Sequence, residues 1–220
     1  MKLKKLKIWQ IIVIIVLIIL LLFAVNVARK MFILSSIQQK IIERESTLSN
    51  CYVQKTFTGE DIDYTNIDIY YKDGNQKIIT NLVGGNSIIQ FVYPTEEKIF
   101  MNIGEERIYS TNKSSTKVPM LESAVNEVTL KDGLKLSIGT EEVEGKECYV
   151  IKGKISGWAY ENNVKDLVTY VEKDTGITVK RVEVLEDGKE RVTLIKTIFN
   201  EVTDEDMQEP NMDEYQTNGN

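Results

Sequence analysis

Asp174-Thr175-Gly176, inside the stretch YVEKDTGITVKRVEV, is the pattern on which aspartic proteases carry a catalytic carboxylate. That chemistry needs two carboxylates close enough to share one proton, and the chain holds a single such triplet. Glu172 and Lys173 before it and Ile177 after it describe a solvated corner between two alternating strands, where Asp bonds its own backbone and Gly takes positive φ. We therefore read Asp174 as a turn residue. The chain has no histidine, which removes Ser-His-Asp and Cys-His nucleophiles and His-ligated metal sites together. Its two cysteines, Cys51 and Cys148, are too few for a four-thiolate site; they either pair as a disulfide or stand as two buried thiols in strands. The acid pairs Glu96-Glu97, Glu105-Glu106 and Glu141-Glu142 fall at expected turns, and neighbours in a strand point to opposite faces, so they do not converge as acid and base. Asp204-Glu205-Asp206 lacks the glycine and terminal glutamate of an EF-hand loop. The reading is of a binding protein, with no catalytic residue, metal or cofactor.

The elements begin with a block of hydrocarbon length. Ile8 to Val25 is apolar apart from Gln10, and about 18 helical residues at ~1.5 Å each nearly match the ~30 Å core of a bilayer. Lys2, Lys4, Lys5 and Lys7 precede it, so residues 1–7 form a cytoplasmic basic tip and everything after residue 25 lies outside. The competing reading is a cleaved signal peptide, for which Ala24 and Ala28 offer poor small-x-small sites. Residues 1–30 carry six Lys or Arg and no acid, so with a whole-chain net charge of −6 the remainder stands near −12. A surface of that sign repels nucleic acid.

Residues 26–50 continue as a helix, with Val27, Met31, Leu34, Ile37 and Ile41 on one stripe, so the membrane helix is expected to run on into the domain. From Cys51 the apolar period changes from 3.6 to 2. Asp73-Gly74, Gly84-Gly85, Pro94-Thr95-Glu96, Gly104-Glu105, Glu144-Gly145 and Asp187-Gly188 punctuate the strands about every ten residues, the rhythm of an antiparallel meander. Pro119, Leu121, Ala124, Val125 and Val128 predict one short amphipathic helix within VPMLESAVNEVTLKDG.

The carboxyl-terminal third carries a resemblance. VEGKECYVIKGK, the hairpin TYVEKDTGITVKRVEV and the closing IKTIFNEVTDEDMQEP resemble motifs of the outer-membrane lipoprotein carrier (LolA-like) superfamily, and the helix from Ser36 to Leu48 leading into CYVQKTFTG matches its opening. The resemblance implies an α+β fold: a strongly curved antiparallel sheet, a half-barrel, with packed helices, here preceded by a transmembrane helix. The domain would cover residues 51–212, with 213–220 a flexible tail. Two features depart from the family. The anchor prevents diffusion, and the Arg-Pro pair after the second strand has no match, YYKDGNQ offering only Lys72.

The resulting expectation is an envelope protein whose apolar concavity receives a lipid, a lipoprotein or another hydrophobic ligand. Trp158 and Tyr160, in the loop SGWAYENNVKD, are the candidates for its rim, a hydrophobic plug being their plainer role. The alternative is a sensor or protein-interaction domain with a self-filled concavity and an envelope protein as its partner.

Overall fold

The structure is a computed structural model that describes residues 8–60, 62–113, 121, 123–125, 128–155 and 163–217. Helix α1 runs unbroken over Ile8–Thr47, a stretch without Gly or Pro, so nothing in the sequence ends it between the apolar block and the domain. Isoleucine, leucine and valine side chains of Ile8 to Val25 are exposed, and the helix is long and apolar enough to cross a membrane. Beyond them Val27, Leu34, Ile37 and Ile41 of the expected stripe are buried, Met31 is half-buried, and Ile33 is buried beside them.

Among the described residues twelve strands follow: β1 (Asn50–Gly59), β2 (Tyr64–Lys72), β3 (Asn75–Leu82), β4 (Ser87–Val92), β5 (Glu97–Ile103), β6 (Glu106–Asn112), β7 (Ser137–Val143), β8 (Lys146–Lys152), β9 (Val164–Glu172), β10 (Thr178–Leu185), β11 (Glu190–Phe199) and β12 (Gln216–Thr217). They form one open sheet in the order β12-β6-β5-β4-β3-β2-β1-β11-β10-β9-β8-β7. Two meanders are thus joined where β1 pairs with β11, and every pairing is antiparallel except the short β12 on β6. The two-residue turns fall where expected: Asp73 and Gly74 take φ of 49° and 85°, Glu144 and Gly145 52° and 79°, the left-handed pair that suits a tight hairpin.

The sheet is strongly curved, and α1 shows why. Ile41 is buried in one cluster with residues of β1 to β4 and β11, Val92 and Ile195 among them, while Ile33, Leu34 and Ile37 are buried in another with Ile151 of β8 and Val171 of β9. Strands β4 and β8 stand seven steps apart in the sheet, about 33 Å if flat at ~4.8 Å per step, whereas Ile33 to Ile41 spans only ~12 Å of helix. The sheet therefore wraps the outer half of α1, and that half of the helix lies in its concavity.

One expectation is corrected. The short helix, α2, forms over Leu130–Lys135, not around Val125: Thr129 caps it, and Thr129 N–H donates to Asp132 Oδ2 at 3.0 Å while Asp132 N–H donates to Thr129 Oγ1 at 3.3 Å. Leu121, Ala124 and Val125 are buried as irregular chain, with Ser123 bridging Ile177. The segment expected as a tail from residue 213 makes contacts of its own up to residue 217. A 3₁₀ turn covers Met212–Glu214, Tyr215 packs edge-on to Phe100 at 5.1 Å, and β12 adds to the sheet.

Candidate ligand-binding concavity

Register decides which side chains line the concave face, because residues directly opposite one another share a face. Ile69 and Ile78, opposed across β2 and β3, both belong to the core under Ile41. Two residues along, the same face carries Ile67, Thr80, Ile88, Met101 and Ile108 in one rank across β2 to β6. All five are half-buried. The row is four-fifths apolar and runs from the core toward the free edge of the sheet.

At its inner end the row meets a pocket of about 390 Å³ between β2, β1, β11 and β10. Phe57 and Tyr64 form one wall, ring centroids 4.5 Å apart at 78°. Lys55 stands opposite Ile67, Arg181 opposite Thr193, and Glu183 opposite Arg191. Arg191 donates to Glu183 at 2.9 Å. Three cations, Lys55, Arg181 and Arg191, thus share the pocket lining with two acids, Glu183 and Asp63. The concavity is amphipathic: an apolar rank on one side, a polar and mainly cationic end on the other. The sequence reading of alternating Ile, Val, Tyr and Phe as a wholly apolar hollow missed this end; the signal was Lys55, Arg181, Glu183 and Arg191 recurring on the inward parity of three adjacent strands.

The expected rim residues Trp158 and Tyr160 lie outside the described residues. Asp174 is exposed at the tip of the β9–β10 turn. That turn is pinned to the helix: Lys40 Nζ donates to the carbonyl of Lys173, and a Cβ on Gly176, φ 75°, would meet the Ile37 carbonyl at 3.0 Å. Within it Thr175 Oγ1 donates to Glu172 Oε2 at 2.7 Å and Gly176 N–H to the Glu172 carbonyl at 2.9 Å. Among the described residues no group of three or more His, Cys, Asp or Glu stands together as a metal site.

Cys51 and Cys148 are free thiols, both fully buried. Strands β1 and β8 stand four steps apart, and register sets Cys51 on the concave face with Val53 while Cys148, neighbour of the inward Tyr149, points the other way. A disulfide needs Cα atoms within about 7 Å and converging Cβ vectors, so the bridge left open by the sequence does not form. Burial raises the Cys51 thiol to about 11 and also raises that of Cys148.

On the convex face Asp68 accepts from Tyr52 Oη at 2.6 Å, Asn66 Nδ2 at 2.6 Å and Gln54 Nε2 at 3.0 Å, so this nearly buried carboxylate is fully engaged in holding β1 to β2. A second aromatic cluster, Phe91, Phe100 and Tyr109, lies beneath the chain's last turn.

No family model and no curated protein matches the chain. Among solved structures it is similar to the lipoprotein LppX of Mycobacterium tuberculosis, at 15% identity and TM-score 0.47 over 78% of this chain and 96% of that one. It is also similar to MucB, at 12% identity and TM-score 0.46 over 84% and 63%. A LolA superfamily protein from Nitrosomonas europaea aligns at 11% identity and TM-score 0.28 over 80% and 97%. The architecture is the one that the sequence resemblance implied: a long helix held in the hollow of one open antiparallel sheet, with the Asp174-Thr175-Gly176 hairpin beneath the helix.

Proposed function

We propose that the chain is a single-pass membrane protein, amino terminus cytoplasmic, whose extracytoplasmic sheet binds an amphipathic ligand, a lipid or a lipid-modified protein. The observation that carries this reading is the half-buried rank Ile67, Ile88, Met101 and Ile108 ending at the cationic pocket. An alkyl chain laid along that rank gains about 0.8 kcal/mol for each methylene removed from water. An anionic end fits beside Lys55, Arg181 and Arg191, where three cations face two acids in a chain of net charge −6. The anchor gives the ligand a short path from the bilayer.

Site-specific photocrosslinking on the full chain tests it. A benzophenone side chain at Met101, illuminated in intact cells, should yield adducts whose mass is that of a lipid or an acylated peptide. The same probe at Leu194, exposed on the convex face, should not. Lys55→Glu combined with Arg181→Glu should lower the Met101 adduct severalfold, and Lys152→Glu, exposed on β8, should leave it unchanged. A blank at Met101, with one protein captured from convex positions instead, would replace this reading by that of an envelope interaction domain.

A further inference from the structure

Helix α2 carries two exposed leucines beside the point where α1 leaves its apolar block. Gly133 is the contact residue: a Cβ there would meet Met31 Cγ at 2.8 Å and Val27 Cγ1 at 3.2 Å, so α2 lies directly against α1 at those two positions. Val27 and Met31 follow Val25 by two and six residues, about 3 and 9 Å along a helix rising ~1.5 Å per residue. The headgroup layer on each side of a bilayer is roughly 5–7 Å thick, the difference between ~40–45 Å overall and a ~30 Å core, halved. If Ile8–Val25 spans the membrane, α2 is held at headgroup depth.

Its side chains suit that depth. Leu130 and Leu134, one turn apart, are 61% and 49% exposed on the same side of the helix. Lys131 and Lys135 follow them on the adjoining side, both exposed. The Thr129–Asp132 capping box fixes the first turn, and Leu136, fully buried against α1, fixes the exit. The leucines are therefore presented by a braced element whose other side is already committed to the core.

We propose that α2 is a membrane-contact site: Leu130 and Leu134 enter the acyl boundary of the outer leaflet, and Lys131 and Lys135 meet lipid phosphates. The inference rests on Ile8–Val25 being a retained span. A single helix leaves a domain free to tilt and to rotate over the surface. A second contact removes both motions and fixes the height at which the concave face stands above the lipid.

The test uses the full chain in nanodiscs of phosphatidylcholine and phosphatidylglycerol that carry a nitroxide-labelled lipid. A fluorophore is placed singly at Lys131→Cys, at Phe23→Cys within the span and at Asp187→Cys on the β10–β11 turn; the native thiols are buried and stay unlabelled. Quenching at position 131 should reach at least half of that at 23, with none at 187. Adding Leu130→Asp and Leu134→Asp should remove the quenching at 131 while circular dichroism and the signal at 23 persist. Strong quenching at 23 with 131 no different from 187 overturns the contact site and leaves the anchor intact. No quenching at 23 overturns both.

Discussion

Gly176 joins the Asp-Thr-Gly triplet to the helix it supports. Left-handed backbone costs an L-residue about 1–2 kcal/mol, and a Cβ at 3.0 Å from the Ile37 carbonyl adds a clash with main chain that cannot move aside. Gly176→Ala should therefore lower the unfolding free energy by roughly 1–3 kcal/mol, read from the urea midpoint, whereas Asp174→Asn should change it by less than ~0.5 kcal/mol because Asp174 is exposed. The thiols give a second residue-scale expectation. Burial pushes the Cys51 thiol up to about 11 in the folded chain from its ordinary value of 9.0, so between those pH values the unfolded chain has already released a proton that the folded chain keeps. Stability contributed by the neutral thiol is complete below pH 9 and declines as pH rises toward 11. The urea midpoint of the native chain should fall more steeply through that window than that of Cys51→Ala.

Elements with a strong period were legible in the sequence, and those fixed by a few contacts were not. The buried stripe of α1 follows the spacing Val27, Leu34, Ile37, Ile41 because one face of a helix must meet the sheet. The strands and their turns follow from alternation and from Asp-Gly or Glu-Gly pairs, which only a few backbone geometries accept. The short helix was misplaced because Leu121, Ala124 and Val125 imitate helical spacing while being buried as irregular chain. Thr129 and Asp132, a capping box three residues apart, mark the true start, and the exposed Leu130 and Leu134 obscure it. The cationic end of the concavity was hidden for another reason: Lys55 and Arg181 come together only after β1, β11 and β10 are placed side by side. The closing segment was invisible because it is held by scattered single contacts. Tyr215 Oη donates to Asn102 Oδ1 at 2.9 Å, Arg107 pairs with Glu214 at 3.0 Å, and Lys98 donates to Glu209 at 2.8 Å. Tyr215→Ala should release the end of this strap: amide exchange at Met212 to Gln216 should quicken, with a stability loss of about 1–2 kcal/mol from the lost ring contact and area.

At the scale of the whole molecule the anchor and the core are one helix, so removing the membrane segment is not a neutral cut. Ile33 is 9% exposed and Leu34 fully buried among residues of β8 and β9, and a buried Leu or Ile is worth about 2–5 kcal/mol when truncated to Ala. A chain beginning at Asn26 keeps Val27, Ile33 and Leu34, and loses an apolar block whose large hydrophobic side chains are exposed. A chain beginning at Ser35 loses all three and also the Val27 and Met31 surface on which Gly133 rests. We therefore expect residues 26–220 to unfold cooperatively in urea and residues 35–220 to unfold at a clearly lower midpoint or to bind an apolar dye in the absence of denaturant. Equal midpoints for the two chains would mean that the sheet folds without the first turns of its helix, and that the concavity could exist apart from the membrane segment. Because the same turns brace α2, the weaker chain should also lose order around Leu130 to Lys135 first, visible as early amide exchange there.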